Sequence, residues 1–174
     1  MITDFDFLIL NFINNSLKCD FMDFIMPKIT FLGSGGFIWI LIGVIMLFIK
    51  KYRKGGIVLL ISLAAGAILG NLILKPIISR PRPCHINEMF PLLIDTPRDF
   101  SFPSGHTLAS ATAAYIITYF NKRVGYIVIP LAVLIAFSRL YLYVHFPSDV
   151  ICGAVIGIFT AYFTIKIFKT KKFI

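Results

Sequence analysis

The feature that most constrains this chain is a set of five apolar stretches, each near the ~20 residues that a helix needs to cross ~30 Å of hydrocarbon. They run from Ile29 to Ile49, Gly55 to Leu74, Ser104 to Phe120, Val124 to about Tyr143, and Val150 to Ile165. The third is polar at its start, and the fourth contains Pro130 and carries Arg139 near its end. Composition agrees with this pattern. Hydrophobic residues make up 58% of the 174 positions and charged residues only 14%, too little polar surface for a soluble domain of this length. The expected fold is all-α: one integral membrane helical bundle over residues 1–174, with about five to six transmembrane helices.

Upstream, Phe5 to Leu17 offers 13 residues with asparagines mixed in. That is short for a span, and the segment reads as an N-terminal interfacial helix. A spanning role is the alternative, and it would reverse the position of the N-terminus. The opening residues "MITDFDFLIL" have no basic n-region and no small-residue cleavage site, and Asp4 and Asp6 argue against a removable signal peptide. Cys19, Cys84 and Cys152 make no convincing disulfide framework.

The loops carry the orientation. "KKYRK" (Lys50 to Lys54), the pair Lys122 and Arg123, and the tail with Lys166, Lys169, Lys171 and Lys172 hold ten of the 17 basic residues. They alternate along the chain so as to share one side, and lysine and arginine mark the cytoplasmic side of membrane proteins. The formal charge of +9 therefore reads as topology, and no nucleic-acid partner is expected. Lys75 to Pro103 and Tyr143 to Asp149 then face the extracytoplasmic side of the cell membrane.

The unusual residues fall together on that outer face. Lys75, Arg82, His106, Arg139, His145 and Asp149 all sit at helix ends or in loops there. Each has an ordinary reading taken alone. Lys75 and Arg139 can snorkel from helix ends, and Arg82 can be a loop arginine held extended by its prolines. Ser104 can be a helix N-cap and Asp149 a first-turn acid. Convergence from three separated segments favours a site instead. Three fixed cations suit a multiply charged anion such as phosphate. The "PSGH" turn adds backbone N–H groups at a helix start that Gly105 leaves open. Two histidines can supply a nucleophile and a proton donor, and Asp149, four residues after His145, can hold one ring nitrogen.

Three motifs make the resemblance specific. The chain reads "KPIISRPRP" from Lys75 to Pro83, "PSGH" from Pro103 to His106, and "SRLYLYVHFPSD" from Ser138 to Asp149. It resembles the type 2 phosphatidic acid phosphatase superfamily, whose motifs are K-x(6)-R-P, P-S-G-H and S-R-x(5)-H-x(3)-D. All eleven fixed positions match in order. The resemblance implies that Lys75, Arg82 and Arg139 hold phosphate oxygens, helped by the Ser104 hydroxyl and the Gly105 amide. It implies that His145 attacks phosphorus, that Asp149 orients His145, and that His106 protonates the leaving oxygen. It also implies no cofactor and no metal. "CHINE" (Cys84, His85, Glu88) lacks the usual ligand spacing and reads as loop.

The substrate implied is a membrane lipid or polyprenyl phosphate, whose scissile group lies at the bilayer edge where His106 does. Undecaprenyl diphosphate is the leading expectation, with phosphatidylglycerophosphate and phosphatidic acid close competitors and a lipid A phosphate further off. The loop from Cys84 to Phe100 is the expected head-group selector. A transporter or binding protein for anionic lipid could use the same cations without hydrolysis, but it would not need two histidines and Asp149. Haloperoxidase activity is a third possibility, although those relatives are soluble. The loop charges yield a direct test in a background free of native cysteines. Tyr52→Cys should resist labelling from outside intact cells, and Asp95→Cys should label readily. The reverse pattern would place the motifs in the cytoplasm.

Overall fold

All five apolar stretches are helical in the computed structural model, which describes residues 2–174. The helices are α1 (Ile2–Ser16), α2 (Asp20–Gly33), α3 (Phe37–Phe48), α4 (Arg53–Ala67), α5 (Lys75–Ile78), α6 (Pro83–Ile86), α7 (Gly105–Phe120), α8 (Lys122–Tyr141) and α9 (Pro147–Thr170). No strand occurs among the described residues. Four helical stretches, 20–48, 53–86, 122–141 and 147–170, are long and apolar enough to cross a membrane. With the 16-residue α7 they form a multi-pass bundle.

Two expected spans differ from the sequence reading, both for backbone reasons. The first begins at Asp20, nine residues before Ile29, and breaks at residues 34–36. There Gly35 and Gly36 take φ of +58° and +74°, which glycine adopts without a Cβ penalty. The second does not end at Leu74. A π-helical stretch, Ile68–Leu74, widens the helix before α5 carries on to Ile78. Such wide turns re-aim side chains and recur at functional sites; here one precedes Lys75. Ser79, at φ +48°, then stops the helix.

Helix α7 lies at the centre, packed against α4, α8 and α9. Its small residues allow this. Thr112 Oγ1 donates to the Gly157 carbonyl at 3.0 Å. A Cβ added to Gly153 would stand 2.8 Å from the Ser104 carbonyl oxygen, and one on Gly157 would collide with that of Leu108. Close backbone approach of this kind is how helices pack without a hydrophobic driving force between them. Trp39 of α3 is fully buried and donates its indole N–H to Ser110 Oγ of α7 at 2.9 Å. Large apolar side chains such as Phe48, Ile127 and Phe159 point outward. That surface suits lipid and not water.

The three basic segments do meet at one end of the bundle. Asn121 Nδ2 donates to the Tyr52 hydroxyl at 2.9 Å, and the Lys54 ammonium lies 5.7 Å from the Phe173 ring centre. The motif loops occupy the other end, and so does α1. With 15 residues, α1 extends ~22 Å at 1.5 Å per residue, short of a span. It turns Asp6, Leu10 and Ile13 inward and Phe5, Leu8 and Phe12 outward. An acid inside with phenylalanines outside is the pattern of a helix lodged in lipid.

The α7–α9 contact makes a measurable demand. Gly157→Leu should force the two helices apart, costing about 1–3 kcal/mol as an overpacked contact. Thermal unfolding in detergent should show a melting point several degrees lower. An unchanged melting point would mean that the helices do not approach this closely.

Candidate active site

The site is built around the start of α7. Ser104 caps that helix, its Oγ accepting from the Thr107 hydroxyl at 3.0 Å and from the Thr107 N–H at 3.5 Å. An Ncap acceptor fixes the first turn, and Gly105 and His106 follow it into a cavity of about 810 Å³. The His106 ring rests on the end of α2, where a Cβ on Gly33 would lie 2.9 Å from its Cδ2. The glycine pair at the helix break thus begins two residues beyond a glycine that makes room for the imidazole.

Lys75, Arg82 and Arg139 line the same end of the cavity, with Gly105, His106 and His145. Arg82 is the most connected. Its Nε donates to the Asp99 carbonyl at 2.9 Å, one terminal nitrogen to the Val144 carbonyl at 2.6 Å, and the other to Asp99 Oδ1 at 2.7 Å. The nitrogen that meets Val144 also lies 3.0 Å from His145 Nε2. A guanidinium has no acceptor, so His145 Nε2 must offer its lone pair and the ring proton resides on Nδ1. Arg139 donates to Thr30 Oγ1 of α2. Its Nε, like His106 Nε2, is buried without a hydrogen-bond partner. A buried unpaired polar group costs about 1–3 kcal/mol, so both mark places where an incoming group could bond.

Asp149 does not touch His145 directly. Its Oδ2 is 3.8 Å from His145 Nδ1, and Ser101 stands between them. The Ser101 hydroxyl donates to Asp149 Oδ2 at 2.5 Å and lies 3.4 Å from Nδ1. The Phe146 N–H also donates to Oδ2, at 2.9 Å. On the protonation of His145, the sequence sets Asp149 against three cations. In the structure burial comes first, and with Arg82, Arg139 and Lys75 it holds the imidazole well below its usual 6.5. Burial and the cations together outweigh Asp149, which favours the neutral ring.

Of the eight site residues expected from sequence, six line the cavity. Asp149 and Ser104 lie behind its wall. The structure adds Asp99, whose carboxylate bridges Lys75 and Arg82. Burial opposes its ionisation, but the Lys75 hydrogen bond and the Arg82 charge hold the carboxyl at about 2. Asp99 belongs to the loop expected to select head groups, yet only the fold shows that it reaches the cations. Ser101 and Asn71 had no signal of their own. Asn71 enters the cavity from the π-helical stretch, its Oδ1 3.1 Å from where a Gly105 Cβ would sit. Away from this end the cavity is walled by Ile40, Leu60, Leu63, Ala64 and Ala67.

Histidines and buried cations thus meet at one end of an apolar helical bundle. The chain belongs to the PAP2 superfamily, which it matches over residues 55–173. It is 34% identical over 135 residues to an undecaprenyl-diphosphatase of Sulfolobus acidocaldarius, an alignment covering 77% of this chain and 65% of that protein. Two solved structures superpose with a TM-score of 0.79. The PAP2-type phosphatidylglycerolphosphate phosphatase of Bacillus subtilis is 28% identical, over 97% of this chain and 87% of its own. Aquifex aeolicus LpxE is 32% identical, over 92% of this chain and 94% of its own.

The Asp99 bridge occupies the oxygen positions that an anion would take on Lys75 and Arg82. Asp99→Asn should therefore tighten the binding of inorganic phosphate or vanadate severalfold, as measured by calorimetry. Equal or weaker binding would show that the carboxylate does not compete for that seat.

Proposed function

We propose that this phosphatase hydrolyses a lipid phosphate at the outer face of the membrane through a phosphohistidine on His145. One observation carries the reading: a single cavity joins three cations and two histidines to an apolar lining. A free phosphate would need only the first part. A lipid phosphate needs both, with its tail beside Leu60, Leu63 and Ala64 and its head among the cations.

In this scheme phosphate oxygens replace the Asp99 carboxylate on Lys75 and Arg82. Arg139 and the Gly105 amide complete the cradle, with the Arg139 Nε finding the acceptor that it lacks and Ser104 holding from behind the turn that presents the amide. His145 Nε2 turns its lone pair from Arg82 onto phosphorus. As the P–N bond forms, the ring becomes an imidazolium, and its Nδ1–H faces Ser101 and Asp149. Electrostatic stabilisation aimed at that developing charge lowers the barrier. His106 gives a proton to the departing oxygen as the P–O bond breaks. Water then attacks the phosphohistidine and gives its proton to His106 as the P–N bond breaks, releasing inorganic phosphate and restoring both histidines.

Undecaprenyl diphosphate is the favoured substrate, because the relative 34% identical to this chain is an undecaprenyl-diphosphatase. The near full-length superposition on a phosphatidylglycerolphosphate phosphatase makes that lipid the second candidate. The outer-face assignment rests on the basic loops at the opposite end of the bundle.

Phosphate release from purified protein, given undecaprenyl diphosphate, phosphatidylglycerophosphate and phosphatidic acid in parallel, should rank the substrates. His145→Ala should abolish turnover while the folded protein still binds vanadate, since the cations remain. Substantial hydrolysis by that variant would remove the phosphohistidine route.

A further inference from the structure

A second arginine, Arg80, stands two residues before Arg82, and each precedes a proline that confines it to extended backbone. Residues two apart in an extended segment project to the same side, and both guanidiniums reach the stretch from Val144 to Asp149. They reach different ends of it. Arg82 meets His145 Nε2, whereas Arg80 donates to Asp149 Oδ1 at 2.6 Å. Arg80 does not line the cavity, so it has no route to a substrate except through Asp149.

Arg80 is itself tied down from several sides. Its Nη1 also donates to Ser148 Oγ at 2.7 Å, and its Nη2 to Asp6 Oδ2 of α1 at 2.7 Å. Its guanidinium carbon lies 4.0 Å from the Phe146 ring centre. Asp6 in turn accepts from the Ser148 N–H at 2.9 Å and from the Ser148 hydroxyl at 2.5 Å. Asp6 is 2% exposed and Asp149 wholly buried. A buried carboxylate is tolerated when it is paired and hydrogen-bonded, and here one guanidinium serves two of them.

Resting on the phosphatase reading above, we infer that Arg80 is a positioning residue for the His145–Ser101–Asp149 relay and that Asp6 locks it in place. With Oδ1 held by Arg80, the Asp149 carboxylate is turned so that Oδ2 receives Ser101 and the Phe146 amide. Free to rotate, it would no longer present a fixed acceptor behind Nδ1 when the imidazolium forms. Helix α1 is thereby part of the apparatus that sets the nucleophile. A general anchoring role for α1 would require only its apolar contacts through Leu10 and Ile13.

The test uses full-length protein in detergent with p-nitrophenyl phosphate and short-chain phosphatidic acid. Asp6→Asn should lower kcat about tenfold and Arg80→Lys on the order of a hundredfold, the scale on which misplaced catalytic groups lose rate. KM and vanadate inhibition should stay within about twofold of wild type, because the phosphate cradle is untouched. The double variant should be no slower than Arg80→Lys alone, since residues acting as one unit are not additive. Unchanged kcat in Arg80→Lys, or additive losses in the double variant, would overturn the inference. So would losses that follow a fall in melting temperature and weakened vanadate inhibition, which is the mark of a merely structural pair. A wild-type protein that releases no phosphate from any lipid phosphate sinks the phosphatase reading and this inference together. An active wild type with an indifferent Arg80→Lys sinks this inference alone.

Discussion

Burying arginine at the edge of a bilayer is the constraint around which this molecule is organised. Arg82 and Arg139 are almost wholly enclosed, and a charge in such a place must find partners or be expelled. Arg82 finds them on the 99 loop, the 144 carbonyl and the His145 ring. In doing so it joins two loops that are about sixty residues apart at Val144. His145 owes its tautomer to the same guanidinium. Fold and chemistry therefore share one interaction, and the loops cannot be rearranged without disturbing the ring that they surround.

Second in importance is the narrow spacing around α7. Glycines on α9 bring two backbones together, and this fixes the first turn of α7 against the segment that carries Asp149; the Ser104 N–H donates to the Asp149 carbonyl at 3.1 Å. The cavity is formed where packing is deliberately incomplete, beside the glycine break between α2 and α3 and the π-helical stretch before Lys75. Irregular backbone is acceptable at membrane depth where it lines a cavity, and both irregular segments do.

Much of this could be read from the chain itself. The five apolar runs gave the bundle, the alternation of basic loops gave their shared end, and three motifs named six of the residues that line the polar end of the cavity. Span boundaries were harder. Hydropathy does not register that "GSGG" bends the first span or that "ILGNLIL" winds too widely, because both effects are conformational. Asp6 was legible only as an unlikely signal-peptide residue, since its partners are 74 and 142 positions away. Ser101 and Asp99 sit in a loop without periodicity, so no spacing rule points from them to His145 or Lys75. The direct Asp149–His145 contact suggested by the four-residue spacing became a contact through Ser101. That spacing brings two side chains near each other on a helix, but His145 precedes Pro147, where α9 begins.

The carboxylate on the 99 loop has one more consequence. Half exposed and tethered to the same chain, it acts as a local competitor whose effective concentration is set by a short loop, a regime commonly in the millimolar range. An anion in that seat is opposed by a rival that never diffuses away. In the proposed reaction, whose product is inorganic phosphate, the protein would then carry its own means of clearing the seat between turnovers, with weak product retention following from chain connectivity.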